Sequence, residues 1–167
     1  MIIIIEGPDG AGKTTLAGEL VDHFNLRYVH EGPPPQDIDP LEYYTDLLTS
    51  YRDDNIVFDR FALGERVYGP ILRGTDRLTE EKWKIFRRLM QRFGAFHILC
   101  LPPYPVCYNS WSRKDRRELF QDVELFRQSW IAFQDFDAEF DLVYDYTVDT
   151  LALVINMINR HQRRCCG

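Results

Sequence analysis

The chain of 167 residues has no long apolar run. Its longest, Met1–Ile5, falls far short of the roughly 20 residues that a membrane span needs, so no crossing is expected. No basic segment precedes that run and Glu6 ends it, so a secretory leader is not expected either. Cysteine is sparse: Cys100, Cys107, Cys165 and Cys166 match no zinc-site spacing. Without a leader they are expected as reduced thiols in a cytoplasmic protein. The vicinal pair Cys165-Cys166 follows Arg160, Arg163 and Arg164 and reads as a frayed basic terminus. No repeat, low-complexity tract or long linker interrupts the chain, so residues 1–167 are expected to form one domain. Positive charge is in deficit, with 20 Lys and Arg against 26 Asp and Glu, a net charge of −6. That balance argues against a nucleic-acid polymer or an anionic membrane as partner, but not against a local basic pocket.

What is present is a globular composition, 45% hydrophobic and 14% aromatic, in which short apolar runs alternate with helical stripes. Ile2–Glu6 reads as a buried strand, and Leu16, Leu20, Val21 and Phe24 share one face of a helix that starts at Lys13. Arg27–His30 is a second strand, followed by a proline-rich loop. Asp39 and Pro40 suit the N-cap and first position of a helix bearing Leu41, Tyr44, Leu47, Leu48 and Tyr51. Asn55–Asp59 is the third strand, and Phe61–Arg73 an irregular helix containing Gly64, Gly69 and Pro70. Thr79 caps a helix with Trp83, Phe86, Met90 and Phe93 that Gly94 stops. Phe96–Leu101 and Leu142–Tyr146 are the remaining strands. Between them lie a polar stretch, Ser110–Arg117, and a helix bearing Leu119, Val123, Phe126, Trp130 and Phe133. A last helix spans about 149–162. The alternation predicts an α/β fold with a parallel sheet covered on both faces, with ligands beyond the carboxyl ends of the strands.

The first of those strand ends carries the strongest signal. Gly7-Pro8-Asp9-Gly10-Ala11-Gly12-Lys13-Thr14 fits G-x-x-x-x-G-K-[ST], between a buried strand and an amphipathic helix. Such a loop turns its backbone N–H groups onto phosphate oxygens at a helix N-terminus. Lys13 can span the β- and γ-phosphates and the Thr14 hydroxyl can ligate Mg²⁺. ATP and Mg²⁺ are therefore the expected cofactors, with Gly7, Asp9, Gly10, Ala11, Gly12, Lys13, Thr14 and Thr15 on the ATP side. No N-K-x-D signature marks a GTPase, so a GTPase is not expected, and in so short a chain a motor's accessory parts are not expected either. At the third strand end, Asp59 can hold a metal-bound water or polarise an acceptor oxygen, and Arg60 can grip a phosphate with two parallel hydrogen bonds.

With Glu6 through Thr15 and Asp59-Arg60-Phe61 in view, the chain resembles the thymidylate kinase family of nucleoside monophosphate kinases. Leu63 through Ile71, LGERVYGPI, is similar to small phage-type deoxynucleotide kinases. The resemblance implies a three-layer P-loop kinase fold with a five-stranded parallel sheet in the order 2-3-1-4-5 and a helical lid at about 104–120. It implies ATP-dependent phosphorylation of a deoxynucleoside 5′-monophosphate, dTMP or a related, modified pyrimidine nucleotide, in the host cytoplasm for a phage protein. Arg60 would hold the acceptor phosphate and Arg73 a second phosphate contact. Asp9 would approach the sugar or the metal that Thr14 and Asp59 bind, and Phe61 and Tyr68 would stack on the base. Tyr146 and Thr147 would meet the adenine. Relatives are commonly homodimers, though no stripe here marks an interface.

The lid of this family carries arginines, and some members place a catalytic one in the phosphate loop, where this chain has Gly10. The resemblance therefore assigns that charge to Arg113, Arg116 and Arg117, beside Lys13, Asp59 and Arg60. After the second strand the family's arginine-glutamate-proline reads His30-Glu31-Gly32-Pro33. Glu31 fits as an acceptor-side residue, whereas His30 replaces the arginine. A deoxynucleoside kinase, which needs a base such as Glu31 for the acceptor hydroxyl, remains open, as does an ATP-binding protein that hydrolyses or senses ATP.

Overall fold

The structure, a computed structural model, describes residues 1–113 and 122–165. β1 (Ile2–Glu6) alternates its side chains between two faces, yet every one of them is buried. Both faces must therefore be covered, which is why the run is apolar without alternation. β1 lies between β3 (Ile56–Asp59) and β4 (Phe96–Cys100), with β2 (Arg27–His30) and β5 (Leu142–Tyr144) at the edges. All pairs are parallel and the order is β2-β3-β1-β4-β5, as expected. The register sets Ile5 beside Asp59 and His30 beside Asp59 on its other flank.

Seven α-helices pack on this sheet among the described residues. α1 (Lys13–Phe24) buries Leu16, Ala17 and Leu20 and ends at Asn25, which tolerates the left-handed cap conformation at φ 53°. α2 (Pro40–Ser50) starts as its sequence predicts: the Asp39 side chain accepts from the Leu41 N–H at 2.9 Å, with Pro40 behind it. α4 (Glu80–Arg92) presents Trp83, Phe86 and Met90 to the core. Phe86 meets Tyr44 of α2 and Phe61, and Phe61 lies in turn against Phe58 of β3, the rings tilted and 4.5 Å apart between centres. α7 (Leu151–Cys165) packs against α1 and β5.

Two segments refine the expected pattern. The irregular helix is α3 (Leu63–Tyr68), running into a π-helical turn, Gly69–Arg73. The glycine and proline that begin that turn interrupt ordinary α-helical bonding, since proline lacks the N–H. A helix that the residue periods did not show, although the resemblance implied a helical lid from about 104, is α5 (Tyr104–Ser112), which follows Pro103 directly. Its first turn contains Pro105, which a helix start tolerates, so the proline pair ends a strand and opens a helix within a few residues. Its Cys107 is fully buried, and Trp111 stacks on Phe126 of α6 (Val123–Gln134) at 4.6 Å. The expected lid span of 104–120 thus begins with packed helix, and its remainder beyond residue 113 lies outside the described residues.

The aromatic seam between α2, β3 and α4 is expected to carry much of the stability. Phe86→Ala should cost about 3–5 kcal/mol, whereas Ile85→Ala, at a side chain 55% exposed, should stay within about 0.5 kcal/mol. Equal shifts of the two variants in urea denaturation would contradict this packing.

Candidate active site

The phosphate loop leaves β1 at Gly7, where an added Cβ would lie 2.2 Å from the Cys100 carbonyl oxygen. At Gly10 the backbone is left-handed, φ +75°, and a Cβ would meet the Cys107 carbonyl oxygen at 2.4 Å. No side chain fits there, because α5 lies directly on the loop. A loop-borne arginine is thus excluded at this position. Within the loop the Lys13 ammonium, 5% exposed, donates to the carbonyls of Gly7 at 2.9 Å and Pro8 at 2.7 Å. An ammonium has three donors, so a third remains for a phosphate oxygen. Burial, and then the Arg60 charge, hold the Lys13 pKa below the usual ammonium value.

Asp59 is completely buried, and one of its oxygens is crowded with donors. Oδ2 accepts from the Thr14 hydroxyl at 2.6 Å and from the Tyr28 hydroxyl at 2.8 Å, and His30 Nδ1 stands 3.6 Å away. Oδ1 is buried with no hydrogen-bond partner. A hydroxyl and a carboxylate side by side, with one carboxylate oxygen unsatisfied, fit a hard cation such as Mg²⁺, which takes one or two protein oxygens and fills its shell with phosphate and water. No group of three or more His, Cys, Asp or Glu side chains that could hold a metal ion occurs among the described residues. Tyr28 was not foreseen in this role. Its signal was the period of β2, since Tyr28 and His30 lie two apart on one face.

Arg60 has a positive φ of 76°, a conformation that costs a non-glycine residue roughly 1–2 kcal/mol. Its own N–H bonds Ile5 O at 2.9 Å, and its guanidinium pairs with the buried Asp9 carboxylate. Burial works against the Arg60 charge, but Asp9, Tyr68 and Asp59 together outweigh it and hold the pKa above the usual value. Asp9 Oδ2 is left buried without a partner.

Two cavities adjoin here. A groove of about 370 Å³ runs along Asp9 through Thr15 and is edged by Ser110. A second cavity of about 390 Å³ lies between Glu6, Glu31, Tyr44, Phe61, Tyr68 and Arg73, among others. Asp9, His30 and Arg60 line both. The structure therefore brings Gly10, Ala11, Gly12, Lys13, Thr14 and Thr15 to the groove, and Glu31, Phe61, Tyr68 and Arg73 to the cavity. Gly7 lines the cavity rather than the groove, and Asp59 lines neither but stands behind two residues of the groove, Thr14 and His30. Glu31 accepts from the Tyr43 hydroxyl at 3.1 Å. His30, half-exposed, is not a core histidine.

Other expected residues are placed less directly. Tyr146 lies against the loop, where a Cβ on Gly12 would be 3.0 Å from its ring, but it lines neither cavity. Thr147 is taken up locally by Asp145, through its N–H and its hydroxyl. Arg113 is the exposed residue that ends α5, while Arg116 and Arg117 lie outside the described residues. Cys100 and Cys107 are free and buried, and burial pushes both thiols up to about 12, so neither is a nucleophile at neutral pH. Cys166 lies outside the described residues. Ser110 and Tyr44 were missed because one lies on α5, which the residue periods did not show, and the other reads as helix core. No helix among the described residues is long and apolar enough to cross a membrane.

Glu6, the last residue of β1, is 3% exposed, and its Oε1 accepts from the Leu63 N–H at 2.8 Å, at the start of α3. Burial raises its pKa from 4.5 to about 7 against the pull of that hydrogen bond and of Lys13 and Arg60. The folded state binds this proton more tightly than the unfolded chain does. Its stabilising contribution is complete below about pH 4.5 and is lost as pH rises through 7. Glu6→Gln is therefore expected to gain up to about 3 kcal/mol over the parent at pH 8 and nothing at pH 4. Urea titrations at both values check it, and an equal effect at both would contradict it.

No family model matches the chain. Among curated proteins it is similar to the guanylate kinase of Geobacter sulfurreducens, 30% identical over 121 residues that cover 62% of this chain and 59% of the relative. The guanylate kinase of Geobacter metallireducens is 28% identical over 120 residues, with the same coverage. The chain thus matches about 59% of the length of these relatives. Among solved structures, the YorR protein of Bacillus subtilis in complex with phosphorylated GDP superposes with a TM-score of 0.73 at 17% identity, covering 98% of both chains. Deoxyadenosine kinase from M. mycoides with bound dCTP gives 0.63 at 19% identity, covering 96% of this chain and 100% of that one. Shikimate kinase from Aquifex aeolicus gives 0.55 at 13% identity, covering 98% and 96%. These likenesses establish the P-loop kinase fold.

Proposed function

We propose that the protein is a P-loop nucleotide kinase that transfers the γ-phosphoryl group of ATP to a deoxynucleoside 5′-monophosphate. The observation that carries this reading is the pair of adjoining cavities sharing Asp9, His30 and Arg60. One is built from a phosphate loop and the other has aromatic walls, so two nucleotides can meet end to end at the shared residues. The guanylate kinase relatives and the nucleotides bound by the YorR and deoxyadenosine kinase structures support a nucleotide acceptor. A thymine-like pyrimidine rests on the motif resemblance alone.

In this reading the loop N–H groups and Lys13 hold the β- and γ-phosphates. An oxygen of the acceptor phosphate attacks the γ-phosphorus, the bond to the β,γ-bridging oxygen breaks, and ADP leaves with that oxygen. Arg60 neutralises the acceptor phosphate, its orientation set by Asp9. Thr14 and Asp59 would hold Mg²⁺, which supplies charge neutralisation at the transferred oxygens when bound. Arg113, Arg116 and Arg117 are proposed to add charge from the segment after α5, since Gly10 admits no side chain. A second reading, a deoxynucleoside kinase, is favoured by one observation: Glu31 lines the acceptor cavity, where it could take a hydroxyl proton.

A coupled assay of ADP release over all nucleosides and deoxynucleoside monophosphates decides between them. Turnover with monophosphates is expected. Turnover only with nucleosides would establish the second reading, and ADP release without any acceptor would overturn both. Lys13→Ala should abolish turnover, whereas Arg60→Ala should mainly raise the acceptor KM. Neutralising Arg113, Arg116 and Arg117 together should lower kcat by on the order of 10³, and a loss below about tenfold would place the catalytic charge elsewhere.

A further inference from the structure

Glu65, on α3, has no part in the chemistry above, yet it is among the most buried carboxylates, with a side chain 1% exposed. Its Oε1 accepts from Arg73 Nη2 at 2.5 Å and stands 3.9 Å from Arg77 Nη1. Arg77 in turn donates to the carbonyls of Pro35 and Ile38, which ties the proline loop to this group. Gly69 admits the couple closely: a Cβ there would lie 3.0 Å from Arg73 Nη2. The other oxygen, Oε2, is buried with no hydrogen-bond partner. A buried charged acceptor left without a donor is costly, and Glu65 lines the acceptor cavity.

The lining of the two cavities indicates its donor. Asp9, His30 and Arg60 line both the phosphate groove and the acceptor cavity, whereas Glu65 and Arg73 line the cavity alone. An acceptor whose phosphate lies at the shared residues must have its other end among the unshared ones. For a nucleotide that end is the base, here flanked by Tyr44, Phe61 and Tyr68. Every common base offers an N–H on its hydrogen-bonding edge, and a carboxylate is acceptor-only.

We propose that Glu65 is a specificity-determining residue that reads the base of the acceptor, its Oε2 taking a hydrogen bond from a base N–H while Arg73 holds Oε1 and fixes the orientation of the carboxylate. This rests on the nucleotide reading of the cavity. It separates the two arginines by role: Arg60 serves the phosphate, and Arg73 serves the carboxylate that meets the base.

The test is a binding cycle of two proteins and two ligands, measured by calorimetry without ATP so that phosphoryl transfer plays no part. The ligands are the tightest-binding nucleoside or deoxynucleoside monophosphate and its analogue lacking the N–H, with C–H in place of a ring N–H or H in place of an exocyclic amino group. The proteins are the parent and Glu65→Gln, whose amide nitrogen cannot accept. Loss of the N–H is expected to weaken binding to the parent at least about tenfold and to weaken binding to Glu65→Gln less than about threefold. An equal loss in both proteins overturns the proposal, as does failure of every nucleoside and monophosphate to bind. If Glu65→Gln does not fold, Glu65→Asp, which keeps the charge and withdraws the oxygen by one methylene, takes its place with the same criteria. A cycle that succeeds without phosphorylation of any ligand would count against the proposed reaction and leave the base-reading role standing.

Discussion

The parallel pairing of β1 with β3 is the constraint on which the site depends. It sets Ile5 beside Asp59, so the root of the phosphate loop and the Asp59-Arg60 step leave the sheet side by side. The backbone bond from Arg60 N–H to Ile5 O continues that ladder by one residue into the loops. From there Thr14 reaches Asp59 and Asp9 reaches Arg60. A slip of one residue would turn Asp59 to the opposite face of the sheet and break both contacts at once. The register is held because β1 and β3 are buried on both faces and admit no alternative packing of their isoleucines, valine and phenylalanine.

The same end of the sheet collects the molecule's buried charge. Among the described residues the buried polar or charged side chains are Glu6, Asp9, Lys13, Asp59, Glu65 and Ser129. All but Ser129 stand at the carboxyl ends of β1 and β3 or on the loop and helix that follow them. Burying charge is costly unless it is paired and hydrogen-bonded. Here the pairing is deliberately incomplete in one respect: Asp9, Asp59 and Glu65 each keep one oxygen without a partner. Folding alone gives no reason for three such atoms in one region, whereas a phosphate-bound cation and a nucleotide with hydrogen-bond donors would satisfy them. The net charge of −6 is that of the whole chain; within the site Asp9 is coupled to Arg60 and Glu65 to Arg73.

The strand and helix periods made most of the fold legible. β1, β3 and β4 follow from buried runs and the helices from one-sided stripes, and Asp39-Pro40 announced its helix by local chemistry that needs no partner. The residue periods did not show α5, which only the resemblance implied as part of a lid, because Pro102-Pro103 reads as a stop; what makes it a helix is packing, with its own Cys107 buried and Trp111 against Phe126. Its position on the loop is also what forbids a side chain at Gly10. Tyr28 and Ser110 were hidden for a related reason, since each acts across space on an element far away in sequence.

By itself the sequence determined the phosphate loop, the strand-end acid and arginine, and the alternating α/β pattern, because glycine geometry, helix starts and buried strands are written in neighbouring residues. The tertiary structure decided the rest. It paired Arg60 with Asp9 and Arg73 with Glu65, raised Glu6 to about 7 by burial, and divided the site into two cavities with three residues in common. Those outcomes depend on which strand ends and helices meet, and on how much water their meeting excludes. Neither can be read from the spacing of residues along a chain.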